Sequence, residues 1–219
     1  MNIPNLLTLL RIFIVPLLIA ALVQENLRLE IGGVVVTNAS LALVIFLFAA
    51  LTDLLDGYLA RRWGQITTVG TLLDPIADKL LISAALISLV QVQQVPGWMA
   101  IIIVGREFAV TGLRSIAAAE GYTIKASDLG KTKMVTQVLA VTLVLLSMHW
   151  AGLRQIAWIG LWAVVVFALV SAADYFRKFW RRVDDSVKQR RRRELLVLER
   201  QQQLERMRER KAVRQGRTD

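Results

Sequence analysis

Four aspartates stand at regular spacings in the middle of a strongly apolar sequence. Asp53 and Asp56 follow the run LALVIFLFA, and Asp74 and Asp78 begin a second apolar run. Acidic side chains within or near membrane helices are costly to bury and usually mark functional sites. Four carboxylates that converge in a partly dry site require cations, and oxygen ligands suit Mg²⁺ or Mn²⁺. Two such ions would clamp both sides of a phosphoryl displacement.

The spacings place these acids on two helix faces. One face carries Asp53, Asp56, Gly57 and Ala60, and the other carries Gly70, Asp74 and Asp78. Both sets follow the helical repeat of three and four residues. The short polar link GQITTV makes the two helices antiparallel neighbours, so the acidic faces meet at one end. Gly57 and Ala60 leave room for a flat or phosphate-bearing substrate, and Arg61 is placed to hold a diphosphate.

The elements that carry these faces are predicted to be membrane helices. The chain has 219 residues, is 55% hydrophobic and has a mean hydropathy of +0.51. A bilayer core of about 30 Å requires about 20 apolar residues per helix. Six segments qualify, which predicts an all-α integral membrane protein with transmembrane helices at 5–24, 38–62, 69–93, 97–120, 130–149 and 155–178. With no cysteine and one histidine, thiolate metal sites and histidine-based zinc sites or triads are disfavoured.

The charge distribution predicts the orientation and a separate tail. Residues 181–219 hold 14 Lys and Arg against 7 Asp and Glu, whereas residues 1–180 hold 13 against 10. We therefore predict a membrane domain at 1–180 and a basic cytoplasmic tail at 181–219, helical or disordered. The positive-inside rule places both termini and the acidic end in the cytoplasm. The tail is either a solvated extension or a segment attracted to anionic lipid headgroups.

Three other interpretations of the acids stay open from the residues alone. In the first interpretation, the acids are ordinary charges at helix ends in the headgroup region, and the small residues serve helix packing. The matched faces disfavour this interpretation for the whole set of four acids. A divalent-cation transporter also uses buried acids, but transporter sites usually lie at the bilayer midplane. A membrane scaffold that recruits a partner through its tail leaves the spacing unexplained.

Residues 53–78 read DLLDGYLARRWGQITTVGTLLDPIAD. This stretch resembles the signature of the CDP-alcohol phosphotransferase family, D-x2-D-G-x2-A-R-x8-G-x3-D-x3-D, and all eight specified positions are present at the required spacing. The resemblance implies a six-helix membrane fold, usually homodimeric. It also implies an active site open to the cytoplasm that holds two divalent cations, Mg²⁺ or Mn²⁺.

Four further segments narrow the resemblance within that family: NIPNLLTLLRIFIVP, DPIADKLL, GREFAVTGLR and GKTKM. They are similar to segments of bacterial members that join CDP-diacylglycerol to sn-glycerol 3-phosphate and release CMP. The resemblance implies these two substrates, membrane lipids and a second copy as partners, no nucleic acid, and the inner (cytoplasmic) membrane as the location. Members that use phosphatidylglycerol or serine as the acceptor are the alternatives.

The same resemblance implies roles for single residues. Asp53, Asp56 and Asp74 would be the main metal ligands, and Asp78 a further ligand or the general base. The CDP moiety would contact Asn5, Thr8, Arg11, Asp56, Gly57, Ala60, Arg61 and Gly70.

The acceptor phosphate needs cations of its own, for which Arg106, Arg114, Lys131 and Lys133 are available. Arg106 has a structural alternative, a pair with Glu107 or with a neighbouring helix. The two lysines have one as well, as positive-inside anchors. An uncharged acceptor would not need this cluster, so the cluster favours a phosphorylated one.

Overall fold

The computed structural model describes residues 3–24, 28–31, 34–63, 68–120 and 129–215. Within these ranges the chain forms six α-helices, two β-strands and one 3₁₀ turn, Ala151–Leu153. The helices are α1 Ile3–Val23, α2 Asn38–Trp63, α3 Thr68–Gln91, α4 Gly97–Ala119, α5 Leu129–Ser147 and α6 Arg154–Gln215. The prediction of six helices is thereby confirmed over these residues. The last helix continues well beyond the predicted end at 178.

The apolar runs differ in how far they meet the requirement for crossing a membrane. Within the described residues, two stretches meet it by length and composition, Leu6–Val23 and Ala151–Arg182. Shorter apolar stretches lie at Asn38–Asp53, Lys79–Gln91 and Met134–Ser147. Charged and polar residues shorten the apolar windows of α2, α3 and α5, because these helices carry the residues expected to do chemistry. Six membrane spans therefore stay a prediction.

A β-hairpin between α1 and α2 was not predicted. Strands β1, Arg28–Ile31, and β2, Val34–Thr37, pair antiparallel, with Arg28 opposite Thr37 and Ile31 opposite Val34. The sequence does contain a signal for it, since the two residues between the strands are Gly32 and Gly33. Glycine pairs are typical of two-residue hairpin connections, because such turns require positive φ.

Helices α1 and α2 run antiparallel. Arg11 in α1 contacts Asp53 in α2, whereas Asn38, at the start of α2, donates a hydrogen bond to the carbonyl of Gln24 beyond the end of α1. As the residue number rises along α1, the number of its contact residue in α2 falls, so the two helices run in opposite directions. The polar first half of α1 thus lies beside the acidic second half of α2.

Helices α4 and α6 run parallel. The rings of Trp98 and Trp162 lie 5.4 Å apart, and Arg106 donates a hydrogen bond to Ser171. From the first contact to the second, the chain advances eight residues along α4 and nine residues along α6, so both helices run in the same direction. The aromatic pair lies near the start of both helices.

Helices α5 and α6 pack closely at Gly160. A Cβ atom built there would lie 3.6 Å from a methyl carbon of Leu143 and 3.7 Å from Ala140. Since α5 ends at Ser147 and α6 begins at Arg154, this contact makes the two helices an antiparallel pair. Short connections likewise make α2 with α3, and α3 with α4, antiparallel neighbours.

These directions bring one end of every helix in residues 1–173 to the same side, which we call the site end. It contains the start of α1, the end of α2, the start of α3, the end of α4, the start of α5 and the stretch of α6 near Ser171. All the residues expected to bind metal, nucleotide or acceptor belong to these helix ends. Helix α1 packs on α2 and α3, and α5 also packs on both.

The described interior between these helices is mostly apolar. Its largest fully buried members include Leu18, Leu22, Phe46, Met99 and Ile103, together with α5 and α6 side chains such as Leu145 and Leu161. Alanines at the helix contacts, such as Ala42 and Ala168, are fully buried as well. Small residues of this kind let helix backbones approach closely, as in membrane bundles.

The chain divides into two compact units, residues 1–173 and 174–219. The described part of the second unit, up to Gln215, is helical. Its exposed ion pairs join Lys178 to Asp174 and Lys188 to Asp184, at 2.6 and 2.8 Å. Phe176 and Trp180, one helical turn apart, stack with their ring centroids 5.7 Å apart.

The close packing at Gly160 gives a test of the α5–α6 contact. Gly160→Ala should be tolerated, because its Cβ meets only ordinary van der Waals contacts. Gly160→Leu should overpack the contact and lower the stability of the detergent-solubilised protein by about 1–3 kcal/mol. The matched control is Gly112→Leu on α4, where a Cβ has no atom within 4 Å. Equal thermal stability of the two leucine variants would contradict this packing.

Candidate active site

A buried ion pair joins α1 to α2 at the site end. Arg11 Nη1 lies 2.5 Å from Asp53 Oδ1, with the arginine side chain 0% and the aspartate side chain 15% exposed. Arg11 is the bulkiest of the fully buried side chains described. Removing two charges from water is costly, and only close contact and further hydrogen bonds offset that cost. Arg11 has further polar interactions beyond this pair.

Two buried threonines extend this polar contact. Thr8 lies three residues before Arg11 in α1 and is 1% exposed, and Thr52 precedes Asp53 in α2 and is 5% exposed. The Thr52 hydroxyl donates a 2.8 Å hydrogen bond to the carbonyl of Ala49, within its own helix. The family resemblance implies that Thr8 and Arg11 contact a nucleotide. The structure places both in the interior, with Arg11 on the first predicted metal ligand.

The other predicted ligands are placed by their backbones alone. Asp56 lies in α2, and Asp74 and Asp78 lie in α3. The expected nucleotide contacts Asn5, Gly57, Ala60, Arg61 and Gly70 lie in α1, α2 and α3 in the same way. The side chains of this whole set lie outside the described residues. Their convergence stays a prediction that rests on helix direction and spacing.

The donor set at this end fits a hard divalent cation. Every predicted ligand is a carboxylate, and carboxylate oxygens are the ligands that Mg²⁺ and Mn²⁺ prefer. One carboxylate offers about four lone-pair sites, so the Arg11 contact to Oδ1 of Asp53 is compatible with a cation on the same group. Among the described side chains, no group of three acids or histidines lies close enough to hold a metal. A complete site would require Asp56, Asp74 and Asp78.

Arg106 makes the structural contacts that the sequence analysis left as its alternative. Its Nη1 donates to Glu107 Oε1 at 3.0 Å, and its Nη2 donates to the hydroxyl of Ser171 in α6. The Arg106 side chain is 9% exposed. Arg106 therefore joins α4 to α6 at the site end. An acceptor phosphate bound to Arg106 would be a third partner of its guanidinium, beside Glu107 and Ser171.

The remaining predicted cations lie further toward that end. Arg114 is exposed and stands eight residues, about two helical turns, after Arg106 in α4. Lys131 and Lys133 lie in the first turns of α5, with their side chains outside the described residues. Arg114 thus lies near the end of α4, and Lys131 and Lys133 lie at the start of α5, both of which belong to the site end.

Two polar residues at this end were not predicted. Ser171 receives the Arg106 hydrogen bond, and Gln137 lies buried in α5. Ser171 carries no sequence signal, since serine is common in helix contacts. Gln137 does have a sequence signal, because it is an uncharged polar residue inside the apolar run MVTQVLAVTLVLL.

Comparisons with known proteins agree with the signature. The family model described as CDP-alcohol phosphatidyltransferase matches residues 1–174. The chain is 42% identical over 186 residues to the CDP-diacylglycerol–glycerol-3-phosphate 3-phosphatidyltransferase of Bacillus subtilis, covering 82% of this chain and 95% of that protein. It is 37% identical over 174 residues to a probable phosphatidylglycerophosphate synthase of Mycobacterium tuberculosis, covering 80% and 79%.

A solved structure shares the fold. The crystal structure of Mycobacterium tuberculosis phosphatidylinositol phosphate synthase with CDP-DAG bound has a TM-score of 0.55 to this chain. The alignment covers 82% of this chain and 87% of that one, at 16% sequence identity. At this identity the likeness concerns the fold alone.

The Arg11–Asp53 pair gives a stability test with an internal reference. Arg11→Met should destabilise the protein by about 3–5 kcal/mol, because it leaves the buried Asp53 carboxylate without its countercharge. Adding Asp53→Asn should restore part of that loss. Lys178→Met breaks an exposed pair of similar length, 2.6 Å, and should cost at most about 1 kcal/mol. Thermal unfolding in detergent measures all four proteins, and similar losses in the two methionine variants would contradict burial of the pair.

Proposed function

The chain belongs to the CDP-alcohol phosphatidyltransferase family, and we propose that it transfers the phosphatidyl group of CDP-diacylglycerol to sn-glycerol 3-phosphate. An acceptor hydroxyl oxygen forms a bond to the phosphatidyl phosphorus, and the bond from that phosphorus to CMP breaks. The hydroxyl proton passes to a base. The products are phosphatidylglycerophosphate and CMP.

The observation that carries the proposal is the position of the signature in the fold. Its eight positions belong to α2 and α3, at the end where these antiparallel helices are neighbours. The Bacillus subtilis relative, named for this reaction, covers most of both chains. The acceptor is supported by the cations of α4 and α5, since a phosphate group requires them and an uncharged alcohol does not.

Each helix end has a proposed task. Asp53, Asp56, Asp74 and Asp78 would hold two divalent cations, Mg²⁺ or Mn²⁺. The chemistry that such cations supply when bound is polarisation of the phosphoryl oxygens and neutralisation of charge on the leaving group.

The Arg11 guanidinium holds Asp53 in place from α1. Gly57 and Ala60 leave space against α2 for the nucleotide, and Arg61 binds its diphosphate. Asp78 accepts the proton of the acceptor hydroxyl. Arg114, Lys131 and Lys133 bind the acceptor phosphate, together with Arg106, which Glu107 and Ser171 hold in place.

The surface of the helices supports a location in the membrane. Phe13 in α1, Ile101 in α4 and Ile159 in α6 are 73%, 72% and 69% exposed. Soluble proteins rarely leave extended apolar surfaces of this kind uncovered, whereas lipid covers them without cost. We therefore propose a multi-pass protein of the cytoplasmic membrane with six spans. The site end and both termini would face the cytoplasm, by the positive-inside rule, and the family resemblance favours a homodimer.

The acceptor is tested by following CMP release from CDP-diacylglycerol by the purified protein with Mg²⁺. sn-Glycerol 3-phosphate should support release well above that with serine, inositol, inositol phosphate or phosphatidylglycerol. A better rate with any of these four would reassign the acceptor within the family. Divalent-cation flux into liposomes without CMP production under any condition would point to a transporter instead.

The role of Asp78 is tested by Asp78→Asn, which keeps the shape of the side chain and removes the basic carboxylate. We expect kcat to fall by at least ~100-fold, the scale of general-base catalysis. Asp184→Asn, at an exposed acid that pairs with Lys188, is the control and should turn over normally. Unchanged turnover in Asp78→Asn, with normal insertion and yield, would refute the role.

A further inference from the structure

A buried glutamine in α5 has no structural explanation within the described residues. Gln137 is 6% exposed, and its Nε2 donates to no hydrogen-bond acceptor among them. Residues one and two turns further along the same face, Ala140, Val141 and Val144, are also buried, and all are apolar. Among the residues of α5 whose side chains are described, which begin at 134, Gln137 is therefore the first buried one counted from the site end.

An amide N–H in this position calls for a partner. Buried polar groups in proteins nearly always form hydrogen bonds, because an unsatisfied donor loses its bonds to water and gains nothing in return. Other half-buried polar side chains of the same helix follow that rule within the helix. Thr142 donates to the carbonyl of Val138 at 2.8 Å, and Ser147 donates to that of Val144 at 2.7 Å. Gln137 differs from both, since its amide has no acceptor among the described residues, and a bound ligand would supply one.

The position of Gln137 selects the kind of partner. It stands one turn after Lys133, at the border between the charged start of α5 and its apolar remainder. Side chains of an α-helix incline toward its N-terminus, which in α5 is the site end. Helix α5 packs on both α2 and α3, the two helices that carry the signature acids. The amide thus borders the region where the acids, the nucleotide and the acceptor are proposed to meet.

We propose that Gln137 is an acceptor-binding residue whose Nε2 donates a hydrogen bond to an oxygen of the polyol phosphate acceptor. This inference rests on the proposed function and adds a specificity determinant to it. The cations of α4 and α5 hold the phosphate at the mouth of the site. One turn of α5, about 5–6 Å deeper, Gln137 reaches the hydroxyl-bearing part of a short polyol. The nucleotide is proposed to lie against α2, on the Gly57 and Ala60 face, so the two substrates use different helices.

The assignment predicts which acceptors are favoured. A donor amide that is buried and otherwise unsatisfied rewards a ligand oxygen and penalises a ligand that places a hydrocarbon group or an ammonium there. A site that hydrogen-bonds a substrate hydroxyl discriminates strongly against analogues that lack it. Gln137 would therefore favour polyol phosphates over serine.

The test separates the two substrates kinetically. Gln137→Met keeps the length of the side chain and removes the donor. We expect its KM for sn-glycerol 3-phosphate to rise about tenfold, the scale of one lost hydrogen bond to a charged or strongly polar ligand. Its KM for CDP-diacylglycerol should stay within about twofold of the wild type. Its melting temperature should be unchanged or higher, since an unsatisfied buried donor has been replaced by an apolar group.

Gln137→Glu is a second test of the hydrogen bond, and Thr142→Val is the control. Gln137→Glu should raise the KM for sn-glycerol 3-phosphate further, because a carboxylate repels the acceptor phosphate. Thr142→Val, at a hydroxyl already satisfied within α5, should change neither KM. If Gln137→Met leaves both KM values unchanged, or raises both equally with a lower melting temperature, Gln137 is structural and the inference is overturned. If the wild-type protein does not use sn-glycerol 3-phosphate at all, the proposed function fails instead, and the acceptor panel shows this before any variant is made.

Discussion

The ion pair between Arg11 and Asp53 is the constraint on which the site end depends. In a bundle whose described interior is largely apolar, a fully buried guanidinium requires its countercharge within bonding distance, because neither water nor lipid replaces it. The pair therefore determines how far α1 is shifted along α2. Once that register is set, the successive turns of α2 that carry Asp56, Gly57 and Ala60 follow from helix geometry. Arg11, for which the family resemblance implies a contact to the nucleotide, thus also aligns the helices of the site.

A second polar contact applies the same principle between α4 and α6. Arg106 joins α4 to α6 through Ser171 and takes Glu107 as its partner along the chain. Both arginines lie at the site end and are at most 9% exposed on their side chains. Much of the described helix packing is apolar and tolerates small shifts, whereas these two directional charged contacts do not. Polar contacts at the working end and apolar packing elsewhere give a rigid site in a bundle that lipid surrounds.

Much of the architecture could be predicted from the sequence, because apolar run length and helix length are linked directly. The predicted helices at 38–62 and 97–120 correspond to Asn38–Trp63 and Gly97–Ala119. The hairpin was not predicted, although Gly32 and Gly33 indicate it. Its four-residue strands are much shorter than the apolar runs of about 20 residues that predict membrane helices. The end of α6 was missed because charged residues stop an apolar run without stopping a helix. The convergence of the four acids stays a prediction, since the side chains of Asp56, Asp74 and Asp78 lie outside the described residues.

The sequence by itself determined the helices, the family and the face on which each signature residue stands, because these depend on spacing along a single helix. Only the tertiary structure decided that Arg11 meets Asp53, that Arg106 binds Ser171 across 65 positions of sequence, and that Gln137 is buried without a described acceptor. Such pairings depend on how neighbouring helices are rotated and shifted against each other. That relation is set by the packing of many apolar side chains at once, and no local pattern of residues encodes it.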